Sequence, residues 1–297
     1  MRAQPGSRAI VVGVDGSDIA LRAVRWAARE ARRRRAPLRL VLAFTQVADY
    51  VVGHPALGRR TWDLLLDRAR QSLRAAAIAA RRVEPAVSVM EELVIGFPTQ
   101  VLVDESRAAT LVVVGEQGTG GFTAALTGSV AVSVAAHAAC PVVVVRGQQG
   151  TDTTGLPVVV GIDGTPVSEA ALAFAFDAAD RLRAPLVAVH TCADPAVTVE
   201  PTFHDRETFE AERALLAERL AGWSEKYPDV RVQRVVTTAE PAQQLIQQSR
   251  VAQLVVVGSR GHGEFAGLVL GSVSNVVVHR AACPVVVVRP EPAEGQR

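Results

Sequence analysis

Val11-Val12-Gly13-Val14-Asp15-Gly16-Ser17 returns as Val159-Val160-Gly161-Ile162-Asp163-Gly164-Thr165, displaced by 148 residues (15 to 163). Arg35-Ala36-Pro37-Leu38 returns at the same displacement as Arg183-Ala184-Pro185-Leu186. Further along, Leu111-Val112-Val113-Val114-Gly115 returns as Leu254-Val255-Val256-Val257-Gly258, now displaced by 143 (115 to 258). Ala138-Ala139-Cys140-Pro141 and its Val-Val-Val-Val-Arg tail return by 143 as Ala281-Ala282-Cys283-Pro284 with the same tail. A period this long describes two whole domains, not a solenoid of short units. The five-residue difference between 148 and 143 is lost between Leu38 and Gly115, with a loop at 50–60 the expected place. Residues 147–155 are polar and rich in Gly, Thr and Gln, and read as a linker. The expected domains are 1–147 and 156–297, joined by 148–155.

Composition agrees. The chain has 297 residues, 49% hydrophobic and 21% charged, enough apolar material for two cores and too much for global disorder. Gly 23 and Pro 16 are near average usage, which excludes fibrous repeats. A net charge of +2 offers no broad field for nucleic acid. Three cysteines, Cys140, Cys192 and Cys283, are too few for a disulfide scaffold and suit a reducing, cytoplasmic setting. The N-terminus shows no apolar signal core. The uncharged stretch 123–145 contains Ser129, Ser133, His137 and a helix-breaking Cys140-Pro141, so it reads as helix then strand, not as a membrane span.

Within each half, β-branched runs alternate with helical stretches. Strands are expected near 10–14, 38–44, 87–94, 111–114 and 142–145, and again near 158–162, 186–190, 230–236, 254–257 and 285–288. Helices are expected near 19–34, 61–82, 99–107 and 129–137. Apolar runs without alternation indicate strands buried on both faces, hence parallel sheets in doubly wound α/β domains.

In such sheets the ligand site lies beyond the carboxyl ends of the strands, where the winding reverses. The turns after strand one, Gly13-Val14-Asp15-Gly16 and Gly161-Ile162-Asp163-Gly164, should arrive there. So should the loops after strand four, Gly115-Glu116-Gln117-Gly118-Thr119-Gly120-Gly121 and Gly258-Ser259-Arg260-Gly261-His262-Gly263-Glu264. Each loop leads to a helix opening at Gly128-Ser129 or Gly271-Ser272. Glycine permits close backbone approach and φ > 0, and a helix N-terminus supplies unpaired N–H groups for phosphate. Ser129 and Ser272 can cap those helices or donate to a phosphate oxygen. One Gly-rich loop alone reads as a turn; the same spacing twice, after a Val-rich strand and before a Gly-Ser helix start, reads as a ligand cradle.

Glu264-Phe265 stand where a P-loop requires Lys-Ser/Thr, and the strand-one turn is not G-x-G-x-x-G. No G-x-S-x-G elbow or zinc spacing occurs. The pattern present in both halves is G-x2-G-x9-G-S, carried by Gly115, Gly118 and Gly128-Ser129 and by Gly258, Gly261 and Gly271-Ser272. It resembles the ATP-binding signature of the universal stress protein family. The likeness covers nearly the whole chain as a tandem pair, a form common in actinobacteria, and includes the strand-one Asp and the terminal Cys-Pro-Val-Val-Val-Val strand.

The resemblance implies an open five-stranded parallel sheet of order 3-2-1-4-5 in each half. It implies Asp15 and Asp163 beside the nucleoside of ATP, with Gly13 and Gly161 letting backbone approach it. Both Gly-rich loops should wrap ribose and phosphates, with Ser129-Val130 and Ser272-Val273-Ser274 at the phosphate end. Mg2+ should accompany ATP; no metal ligand is assigned. Where the family often carries Ser/Thr and a basic residue, the first half has Glu116-Gln117. A carboxylate there disfavours phosphate, so the second half should bind more tightly.

Other features have structural readings. Arg32-Arg33-Arg34-Arg35 ends a helix, where cations complement the dipole. Cys140 and Cys283 read as small core residues, and Trp26 and Phe174, at matching helix positions, as core packing. His190 reads either as a nucleoside contact or as a packed histidine, while His262 and Asp194 are ligand candidates. The functional reading is a cytoplasmic, regulatory ATP-binding module of stress response or dormancy, a homodimer with a regulatory protein partner, and no enzyme beyond weak ATPase activity. The alternatives are a slow ATP hydrolase or nucleotidyl transferase, and a dimerising scaffold that never uses nucleotide.

Overall fold

The computed structural model describes residues 8–45, 55–116, 128–147, 153–192, 205–261 and 270–289. The chain divides into two units, Met1–Val145 and Arg146–Arg297. The first runs β1 (Ala9–Gly13), α1 (Asp18–Arg34), β2 (Leu38–Phe44), α2 (Pro55–Val83), β3 (Val89–Ile95), α3 (Pro98–Ser106), β4 (Ala109–Gly115), α4 (Ser129–His137) and β5 (Val142–Val145). The second runs β6 (Val158–Ile162), α5 (Pro166–Leu182), β7 (Leu186–Thr191), α6 (Asp205–Lys226), β8 (Val232–Thr237), α7 (Pro241–Ser249), β9 (Leu254–Gly258), α8 (Ser272–Arg280) and β10 (Val285–Val288).

All strand pairs within a unit are parallel. The first unit is ordered β3-β2-β1-β4-β5 and the second β8-β7-β6-β9-β10, the expected 3-2-1-4-5 in each. Registers repeat with the sequence: Ile10 pairs with Leu38 as Val158 does with Leu186, and Val112 with Val142 as Val255 does with Val285. Winding reverses between β1 and β4, and again between β6 and β9. The right-handed crossovers therefore place α1 with α2 and α3 with α4 on opposite faces. The two end strands of each unit differ in burial. Strands β5 and β10 are buried along their full length, whereas β3 and β8 are largely half-exposed.

Local chemistry explains the repeat in α1 and α5. In α1 the residues at helical spacing, Ala20, Ala23, Val24, Ala27, Ala28 and Ala31, are all buried. The Ser17 hydroxyl accepts the Ala20 N–H at 3.0 Å, as the Thr165 hydroxyl accepts the Ser168 N–H at 3.2 Å. Both helices end on an arginine in the left-handed region, Arg35 (φ 52) and Arg183 (φ 50), with Pro37 and Pro185 two residues on. The Arg32–Arg35 run is partly spent internally. Arg34 Nε donates to the buried Glu30 Oε1 at 2.6 Å, and Arg33 lies 3.6 Å from the other carboxylate oxygen.

Three sequence expectations need correction. Residues 55–60, placed in a loop, open the 29-residue α2. Trp26 and Phe174 are half-buried, not core; among the described residues the fully buried aromatic is Phe176, stacked 5.8 Å from Trp223 and 5.7 Å from Tyr227. Ser129 and Ser272 are not caps: Gly128 and Gly271 hold the N-cap positions, with no side-chain cap hydrogen bond. Cys140 and Cys283 are buried as expected, and burial pushes each thiol up to about 12. No helix among the described residues is long and apolar enough to cross a membrane.

Candidate functional site

In the second unit, the carboxyl ends of β6, β7 and β9 and the start of α8 enclose a cavity of about 480 Å³. Gly161, Asp163, Gly258, Arg260, Gly261, Gly271, Ser272, Val273 and Ser274 all line it, although they span more than a hundred residues of sequence. The winding reversal between β6 and β9 brings these segments together.

Asp163 is anchored by its own turn. Its Oδ1 accepts the Thr165 N–H at 3.0 Å and the Thr165 hydroxyl at 2.7 Å. Asp15 repeats this with Ser17 at 2.9 and 2.6 Å. Gly16 and Gly164 carry the turn at φ +86, a conformation only glycine adopts without strain. The other oxygen of Asp163 faces Gly261, where an added Cβ would stand 2.5 Å from Oδ2.

The remaining site glycines act through space, not through φ. None of Gly13, Gly115, Gly161, Gly258, Gly261 or Gly271 has positive φ. A Cβ on Gly13 or Gly161 would meet Leu102 at 3.0 Å or Leu245 at 3.1 Å, so glycine lets α3 and α7 pack on the first strand of each unit. At Gly115 and Gly258 the obstacle is the first turn of α1 or α5, with Ile19 at 2.6 Å and Val167 at 2.8 Å.

Ser259 does not line the cavity. It is buried, its N–H donates to Val288 O at 2.7 Å, and its carbonyl accepts from Gly271 N–H at 2.9 Å and the Ser274 hydroxyl at 3.2 Å. These bonds tie the end of β9 to the start of α8. Glu116 makes the same backbone bonds in the first unit, to Val145 O and from Gly128 N–H. Its side chain turns to Arg22 of α1, with Oε1 3.5 Å from Nη2. Of the other first-unit candidates, Ser129 is exposed and Gly128 and Val130 are half-buried. Gln117, Gly118, Thr119, Gly120, Gly121, Asp194, His262, Gly263 and Glu264 lie outside the described residues.

The electrostatics favour an anion at the α8 end. Gly271 offers no side chain to the first-turn N–H groups, which leaves the positive end of the helix facing the cavity. Arg260 is exposed at the rim, and Arg289 stands near enough that burial first, and Arg260 second, lower its affinity for its proton. Val189, Thr191, Ser168 and Leu245 also line the cavity. Strand alternation would have found Val189 and Thr191, which share one face of β7.

His190 faces the other side of β7. Its Nδ1 lies 2.9 Å from Ile162 O and its Nε2 3.0 Å from Glu212 Oε2, which makes it a packed, hydrogen-bonded histidine; it is not among the residues lining the cavity.

The universal stress protein family model matches residues 6–146 and again 156–289. Universal stress protein Rv2005c of Mycobacterium tuberculosis (strain ATCC 25618 / H37Rv) is 43% identical over 286 residues, covering 94% of this chain and 96% of that protein. A universal stress protein of Mycolicibacterium smegmatis is 43% identical over 291 residues, covering 95% and 97%. Among solved structures, a universal stress protein from Archaeoglobus fulgidus DSM 4304 superposes with a TM-score of 0.71 at 18% identity, over 95% of this chain and 96% of that one, a likeness of fold. Matched twice by one family model and along nearly its whole length by these relatives, the chain is a tandem, two-domain member of the universal stress protein family.

Proposed function

We propose that this chain is a regulatory nucleotide-binding protein that takes ATP, with Mg2+, in the second-unit cavity. The observation that carries the reading is the convergence of Asp163, Arg260, Gly261 and the uncapped start of α8 on one cavity of about 480 Å³. That volume suits a small-molecule ligand. The α8 N-terminus with Arg260 suits its phosphates, and Asp163, whose carboxylate accepts hydrogen bonds, suits hydroxyl donors of a sugar. The apolar side chains of Val189, Leu245 and Val257 offer a surface for a base. Domain one, 1–147, is read as a second and weaker ATP module, linked through 148–155 to domain two, 156–297.

The reading extends to a cytoplasmic homodimer whose nucleotide state is sensed by a regulatory partner in stress response or dormancy, with at most weak ATPase activity. The Thr165 hydroxyl, paired with Asp163, is committed to capping α5, which disfavours Thr165 as a nucleophile. Mass spectrometry of nucleotide released from the purified protein tests the proposal. ATP is the expected species. Protein that releases no nucleotide and also takes up no Mg·ATP would support the scaffold alternative, and robust multiple turnover would support the hydrolase.

A further inference from the structure

The face of β7 turned away from the cavity carries His190, with Cys192 two residues on and therefore on the same side. Helix α6 reaches His190 on that face with Glu212. One ligand atom from each of His190, Cys192 and Glu212 lies within 4.8 Å of the others. The hydrogen bonding is informative. The Ile162 carbonyl only accepts, so the histidine proton sits on Nδ1, and in the neutral ring Nε2 presents a lone pair. That lone pair lies 3.0 Å from the Glu212 carboxylate oxygen, itself an acceptor. Two acceptors this close need a proton or a metal ion between them. An imidazole oriented by a backbone carbonyl on its far nitrogen is the usual outer-shell arrangement of a metal-binding histidine.

We propose that His190, Cys192 and Glu212 form a transition-metal site of the Zn2+ class, with three protein ligands and a fourth, open position. Nitrogen, sulfur and oxygen donors bind Zn2+ at about 2.0–2.3 Å, which sets donor–donor distances near 3.5 Å in a tetrahedron. The nitrogen and oxygen already stand inside that separation, and closing the set from 4.8 Å requires about 1 Å of side-chain movement. Glu212 is 31% exposed and His190 16%, which leaves an entry path. Burial, and then the Glu212 charge, push the Cys192 thiol up, so binding would release its proton to solvent. The first unit has Leu42 and Phe44 at the matching positions, so one metal per chain is expected. Ile162 joins this site to the nucleotide cavity, which it lines from the other side, but the metal proposal does not depend on nucleotide binding.

The test uses tag-free, full-length protein treated with chelator, then titrated with Zn2+ against a chromophoric competitor and, in parallel, with Co2+. One equivalent of metal per chain and a near-ultraviolet thiolate-to-Co2+ band are expected. Removing an outer-shell partner costs a metal site about 10–100-fold, so Cys192→Ser, which removes a ligand, should weaken Zn2+ at least about tenfold and abolish the band. His190→Ala should weaken Zn2+ as much. A measurement on the unaltered chain guards against misfolded variants: Zn2+ should slow alkylation of Cys192, resolved by peptide mass spectrometry, at least about tenfold. A plain His190–Glu212 ion pair predicts no thiolate band and no protection, and that result overturns the proposal.

Discussion

At the carboxyl end of β2 the chain places Leu42 and Phe44, and Phe44 meets Trp62 of α2 edge-on at 4.7 Å. At the matching end of β7 it places His190 and Cys192 beneath Glu212 of α6. The strand frame is the same: β2 pairs with β1 in the register in which β7 pairs with β6, and the second helix of each unit reaches the strand end, through Trp62 in one and Glu212 in the other. A similar divergence runs through the other site positions. Glu116 with its Arg22 partner stands where the second unit buries Ser259, and Ala131 stands where the second unit has Ser274. Backbone hydrogen bonds and glycine-dependent packing hold the repeated frame in place. Side-chain chemistry is free to differ, so equal folds need not mean equal sites.

The largest contrast concerns thiols. With Cys140 and Cys283 pushed up to about 12, only about one in ten thousand of each is thiolate at pH 8. Thiolate is lost below the folded-state value, so both stay inert until pH rises toward 12 or the unit unfolds. Burial and then the Glu212 charge push the Cys192 thiol up as well, but Cys192 is only half-buried, so in metal-free native protein it should be alkylated fastest of the three. Peptide-resolved alkylation finding Cys140 equally fast would break the comparison. Next in size is core packing. Phe176, fully buried against Trp223 and Tyr227, occupies the place that Ala28 fills in the first unit. Phe176→Ala should cost about 3–5 kcal/mol. Hydrogen exchange should lose protection in peptides of β6 to β10, and an equal loss in peptides of β1 to β5 would contradict the assignment.

A smaller effect sharpens the account of Glu116. Arg22 stands 3.5 Å from this carboxylate, with both groups about a quarter exposed, and so offsets its repulsion of a phosphate. Arg22→Ala should weaken ATP at the first unit several-fold, on the order of 1 kcal/mol, and leave the second unit unchanged. Calorimetric titration of that variant showing no change would place Glu116 out of reach of the phosphates.

Much of this was legible in the letters, because repeated strand runs and doubled glycine spacing are local signals. The unalternating Val runs indicate buried parallel strands, and the doubled turns and loops point to Asp163, Gly261 and Gly271-Ser272, which line one cavity. What sequence reasoning missed comes from distance along the chain or from packing. Arg22 and Glu116 are 94 residues apart and His190 and Glu212 are 22 apart, with no motif linking either pair. Nor do the letters show that Gly13 and Gly161 also make room for Leu102 and Leu245, on helices that arrive much later, alongside the place of Gly161 at the cavity. The start of α2 at Pro55 was obscured because proline at a first helical turn is tolerated but resembles a loop signal.

The most direct test of the central claim is calorimetric titration of Mg·ATP into the parent chain and into Gly261→Ala and Gly118→Ala separately. A methyl group on Gly261 would crowd Asp163 Oδ2 at 2.5 Å while leaving the surrounding strands untouched. The account predicts that Gly261→Ala weakens the tighter site by about tenfold or more, about 1.4 kcal/mol, with the melting temperature of the ligand-free protein unchanged. Gly118→Ala should spare that site. Loss of the tighter site in Gly118→Ala with full retention in Gly261→Ala would contradict the assignment of the second unit as the principal nucleotide site.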